Sequence, residues 1–90
     1  MEARLFDWEL RKAVRNIALG RMSFEAAAEL FKDPRRVDFE DNRFEYGEER
    51  RITIGAIEDR FYTVVYTMRG ATTWIISARP AHRKERRRYG

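Results

Sequence analysis

Ninety residues, 43% of them hydrophobic and 13% aromatic, suffice for one modest core, so a single domain over residues 1–90 is expected and a disordered chain is excluded. There is no cysteine to form a disulfide or thiolate metal site, and no run approaching the roughly 18 apolar residues of a bilayer span, so a soluble cytoplasmic protein without membrane contact is expected. The net charge of +4 is unevenly spread: residues 79–90 hold six Arg or Lys against one Glu, and residues 38–49 hold six carboxylates against one Arg.

Along the chain, Arg4–Phe6 reads as a short strand, and Asp7 is placed to cap a helix. Leu10, Val14 and Ile17 fall at i, i+4 and i+7 and form an apolar stripe, with Arg11, Lys12, Arg15 and Asn16 facing elsewhere. Gly20 is the expected stop. Ser23 caps a second helix with Phe24, Ala27, Ala28 and Phe31 on its apolar side, ended by Asp33–Pro34. The period then changes to two. Val37 and Phe39 alternate with Asp38 and Glu40, and Ile52, Ile54 and Ala56 alternate with Arg51, Thr53 and Gly55. Glu58–Asp59 turns into Phe61–Met68, apolar on both faces and therefore a central strand. Arg69–Gly70 turns into Thr72–Arg79, and Pro80 opens a last helix from about Ala81 to Arg88. These elements predict an α+β domain: a compact antiparallel meander with two N-terminal helices and one C-terminal helix, the helices on one face.

Several chemistries lack their residues. The five glycines are scattered, so no phosphate loop forms, and a single histidine without cysteine leaves no zinc site of ordinary spacing. Nothing around Ser23 or Ser77 resembles a nucleophile elbow. The carboxylates of residues 38–49 read as a solvated loop that neutralises nearby arginines, rather than as a metal site or a dock for a basic partner segment. What is left is arginine, tyrosine and carboxylate, which suffices to cleave RNA without cofactor, because RNA carries its own nucleophile. The 2′-OH attacks the adjacent phosphate while the protein moves two protons and stabilises the added negative charge. Arginine suits the last task, and aromatic rings can hold unpaired bases.

The ordered set of segments is similar to the BrnT family of type II toxins, within the RelE-like group of ribonucleases. The similarity runs through Phe6-Asp7-Trp8, Lys12, Asn16, Ser23-Phe24-Glu25-Ala26-Ala27, Phe31-Lys32-Asp33-Pro34 and Phe39-Glu40-Asp41. It continues through Tyr46-Gly47-Glu48-Glu49-Arg50, Ile54-Gly55, Val65-Tyr66-Thr67, Ile76-Ser77-Ala78-Arg79 and Arg83-Lys84-Glu85-Arg86-Arg87-Arg88-Tyr89. The resemblance implies a RelE-like fold, messenger RNA cleavage, and a BrnA-type ribbon-helix-helix antitoxin as partner, with room for a dimer inside the toxin–antitoxin complex. The sequence departs from the family where Leu19-Gly20-Arg21 stands in place of Lys-His-Gly.

Candidate catalytic residues are Arg79, Arg50, Glu48, Arg69 and Tyr89. Arg79 ends the last strand beside the basic helix, with a structural ion pair to the acidic loop as its alternative use. Glu48 and Arg50 lie where that loop enters a strand, and a Glu–Arg pair fixing the loop is their alternative. Arg69 lies in the turn before the last strand, and Tyr89 follows the arginine run. Candidate RNA-binding residues are Arg83, Lys84, Arg86, Arg87 and Tyr66. Trp8 and Trp74 read as core or interface anchors. Two other functions stay open: an antitoxin-binding module with weakened catalysis, which the resemblance together with the missing Lys-His pair suggests, and a nucleic-acid-binding co-repressor without cleavage.

Overall fold

A computed structural model of the chain describes residues 4–89. Its elements are β1 (Leu5–Trp8), α1 (Leu10–Ala18), α2 (Phe24–Ala28) continued by a 3₁₀ turn (Glu29–Lys32), β2 (Val37–Glu40), β3 (Arg51–Ile57), β4 (Arg60–Arg69), β5 (Thr72–Pro80) and α3 (Arg83–Arg86). β2 to β5 form the expected antiparallel succession. The sheet is nevertheless mixed, ordered β1-β5-β4-β3-β2, because β1 lies parallel to β5 with Leu5 beside Thr72 and Trp8 beside Ile75. A pairing across 67 residues leaves no local pattern, so the meander describes four of the five strands.

The tight turns follow their residues. Glu58 and Asp59 both adopt positive φ (49° and 67°) between β3 and β4, and Gly70 (φ 60°) turns β4 into β5. A bulge at Val65/Tyr66 shifts the pairing of β4 with β5, so that Val65 faces Ser77 and Tyr66 faces Ile75.

Each face of the sheet carries its own apolar cluster. Phe24, Ala27 and Leu30 of the helical layer pack with Val64, Ile75 and Ala78, joined by Phe6, Trp8, Phe31 and Tyr62. Ile52, Ile54 and Val65 form the second cluster with Val37, Phe39, Ile76 and Ala81. Ala81 and the stacking of Arg86 on Phe61 and Arg88 on Phe39 bring the C-terminal segment to that second face, so the helices are not confined to one side. α3 is a single turn; Pro80 closes β5, and His82 is the cap residue.

α2 begins as expected, with Ser23 Oγ accepting the Ala26 N–H at 3.0 Å. α1 overturns its expectation. Its inward residues are Ala13 and Asn16, whereas Leu10, Val14 and Ile17 are 74%, 58% and 56% exposed. The cause is a polar anchor. β1 covers only residues 72–75 of the β5 edge, and further along that strand Asn16 Nδ2 donates to Ala78 O at 2.8 Å, and also to Met22 O at 2.7 Å. With Asn16 and the small Ala13 turned inward, the stripe must point outward. Asp7 lies in β1 and bonds the Trp8 N–H; the residue preceding α1 is Glu9.

Candidate functional site

Three neighbouring strands bring a polar network together on the helix-covered face. Arg51 on β3 stands opposite Tyr66 on β4, and Asp38 on β2 stands opposite Thr53 on β3. Asp38 is the hub. Its Oδ1 accepts Arg51 Nε at 2.5 Å, and its Oδ2 accepts Arg36 Nη1 at 2.9 Å and the Tyr66 hydroxyl. Arg36 Nη1 also donates to Thr53 Oγ1 at 2.9 Å, and Arg51 Nη1 reaches Glu49 at 3.3 Å. The Phe31 ring closes one side: Arg36 and Arg4 lie over it at 4.8 and 5.2 Å, and Tyr66 meets it edge-on at 5.0 Å. The side chains of Arg36, Asp38 and Arg51 are 19%, 22% and 32% exposed, so a solute can reach charges that are already partly stripped of water. Burial, and then the Asp38 carboxylate, push the Tyr66 hydroxyl above its ordinary pKa, so it stays a proton donor.

The residues expected from sequence are distributed around this network. Arg79 makes a bidentate pair with Glu85 (2.6 and 2.7 Å), so its partner lies in α3 and not in the acidic loop. Burial alone would raise Glu85, but the Arg79 guanidinium and the His82 N–H outweigh it and lower the carboxyl to about 2. Tyr89 donates to Asp33 Oδ2 at 2.6 Å and stacks edge-on against Phe61, so the end of the described chain is tied down. Asp33 also receives the Ala56 and Arg35 N–H groups. Glu48 pairs with Arg69 at 3.4 Å, and Arg69 lies 4.2 Å over the Trp74 ring. Arg50 stacks on Tyr46 at 4.0 Å. Of the proposed RNA ligands, Arg86 lies over Phe61, and Arg83, Lys84 and Arg87 are exposed without an ion pair among the described residues. Tyr66 is the residue of the expected set that sits in the Asp38 network.

The loop between β2 and β3 neutralises arginines, as expected: Asp41, Glu48 and Glu49 each hold one, and Asp38 in β2 holds two. Asp41 organises it, bonding Arg43 Nε and Nη2 at 2.8 Å and Tyr46 Oη at 3.1 Å. The Arg43 hydrogen bond is the main reason its carboxyl is lowered to about 2. A cavity of about 410 Å³ beneath the loop is lined by Glu40, Asp41, Glu45, Glu48 and Glu49, which repels a polyanion. A second cavity, of about 310 Å³, lies between α1 and the β5 edge and has the opposite sign, with Lys12, Arg15 and Arg21 around Asn16, Leu19, Ile76 and Ser77. At the site of the family departure, Gly20 closes α1 with φ 75°, and Arg21 contributes to this cavity.

Arg36, Asp38 and Arg51 were missed from sequence. The available signal was the charged, outward phase of β2 and β3, which reads as a wet face until Tyr66 and Phe31 are placed beside it. Among the described residues, no three His, Cys, Asp or Glu are grouped to hold a metal ion, and no helix is long and apolar enough to cross a membrane.

An arginine-rich α+β domain of this kind has the inventory of a nucleic-acid-acting protein. Residues 8–85 match the family model described as ribonuclease toxin, BrnT, of type II toxin–antitoxin system. The chain belongs to that family, which implies an antitoxin partner. No curated protein matches the chain.

Proposed function

We propose that the chain is a metal-independent endoribonuclease that cuts messenger RNA on a RelE-like fold and is neutralised by a BrnA-type ribbon-helix-helix antitoxin. The observation that carries the reading is the meeting of the partly exposed Arg36, Arg51 and Asp38 with the buried Tyr66 on one sheet face. In this scheme Arg36 and Arg51 grip the scissile phosphate and take up the charge that develops on it. The 2′-oxygen forms its bond to phosphorus as its proton passes to Asp38. The bond to the 5′-oxygen breaks as Tyr66 gives that oxygen a proton, and Asp38 then reprotonates Tyr66. The products are a 2′,3′-cyclic phosphate and a 5′-hydroxyl, and the proton count closes without a metal.

The other residues take supporting roles. Arg69 over Trp74 offers a platform for a base beside Glu48, and Arg83, Lys84 and Arg87 supply charge along the RNA strand. Arg79, Arg50, Arg86 and Tyr89 are engaged within the protein, and we assign them to positioning the C-terminal segment and the 41–50 loop.

Cleavage of a defined RNA by the purified chain tests the reading. Asp38→Asn, Tyr66→Phe and Arg51→Ala should each slow cutting by about a hundredfold or more with the fold intact. Wild-type rates in all three would refute it.

A further inference from the structure

Among the described residues seven large hydrophobic side chains are exposed, and three of them, Leu10, Val14 and Ile17, share one face of α1. They make a patch of aliphatic groups on a helix of nine residues whose register is locked by Asn16. A contiguous apolar face held outward is costly in water and marks a surface meant to be covered. Residues 10–21 hold Arg11, Lys12, Arg15 and Arg21 and no acidic side chain. Among the described residues these four cations have no ion-pair partner, and three of them line the 310 Å³ cavity at the helix flank.

We propose that this face is where the antitoxin docks, through an amphipathic segment that lays an apolar side on Leu10, Val14 and Ile17 and places carboxylates at Arg11 and Arg15 on the adjoining outward side of the helix. The proposal rests on the toxin–antitoxin reading and adds to it the surface and the chemistry of the partner segment. Charge complementarity selects this occupant. A second copy of the chain paired α1 to α1 would set one cationic rim against another, a like-charge arrangement that opposes pairing. RNA would satisfy the cations, but it would leave the aliphatic stripe bare, since the stripe offers no ring for a base to stack on.

The test is titration of the purified cognate antitoxin into the wild-type chain and into Val14→Glu, Ile17→Glu and Arg15→Glu, with Phe44→Ser, an exposed apolar position in the 41–50 loop, as control. Each α1 substitution should weaken binding about tenfold or more, the value of one apolar side chain left uncovered or one opposed charge, and Phe44→Ser should not. Because the substituted side chains are exposed, thermal midpoints should stay at the wild-type value. Hydrogen exchange should slow over residues 10–19 when the antitoxin is added. Wild-type affinity in the α1 variants, absence of any complex, or protection elsewhere with α1 unprotected would each overturn the proposal. So would a dimer of the free chain that Ile17→Glu converts to monomer, or an Arg11→Ala, Arg15→Ala double variant that loses RNA binding while keeping full antitoxin affinity. Failure of the free wild-type chain to cut RNA would sink the ribonuclease reading and leave this surface standing.

Discussion

The Arg79–Glu85 pair ties a four-residue helix to the end of β5, and Glu85→Gln removes its charge while keeping its shape. So short a helix has almost no stability of its own, so its position depends on that pair and on the His82 N–H that Glu85 also accepts. A carboxyl drawn from 4.5 to about 2 corresponds to about 3 kcal/mol of stability at neutral pH if fully shielded. The two side chains are 21% and 19% exposed, and screening by that water brings the expected loss to about 1–2 kcal/mol. The folded-state pKa is depressed, so this contribution is complete above pH 4.5 and disappears as the pH falls toward 2. Urea unfolding across that range should therefore give wild-type and Glu85→Gln curves that are separated at neutral pH and converge in acid. Curves that stay parallel at every pH would refute the assignment of that stability to the ion pair.

Asn16→Ala should destabilise the fold by about 2–4 kcal/mol, since it leaves the Ala78 and Met22 carbonyls without their partner at a buried position; chemical denaturation measures this. Gly55→Ala should cost about 1–3 kcal/mol by crowding, seen as a lowered thermal midpoint. There an added Cβ would lie 3.1 Å from Arg36 Cβ and Leu30 Cγ and 3.2 Å from Asp33 Oδ2.

The strands β2 to β5 were legible because β2 and β3 alternate apolar and polar residues, β4 is β-branched and aromatic on both faces, and the four lie next to one another in sequence as in space. β1 was seen as a short strand, but its parallel place beside β5 depends on contacts 67 residues apart, which no local pattern records. The face of α1 was misjudged for a specific reason. An apolar stripe ordinarily points to the core, and here two hydrogen bonds from Asn16 hold the helix the other way around. The candidate site was legible in kind, as arginine, tyrosine and carboxylate, and in one member, Tyr66. Asp38 and Arg51 looked like ordinary solvent-facing strand residues, because the network that unites them spans 28 residues from Asp38 to Tyr66. Arg79 drew attention by its position next to the basic run, and the side chain proved to be spoken for by Glu85.

The most direct measurement uses two RNAs of identical sequence, one carrying a single 2′-deoxy sugar at the cut site, incubated with the purified chain in excess chelator. Cleavage of the all-ribose strand to a 2′,3′-cyclic phosphate, with the deoxy strand intact, is the predicted result. Cleavage of both strands, a requirement for added divalent cation, or no cleavage of either would contradict the account.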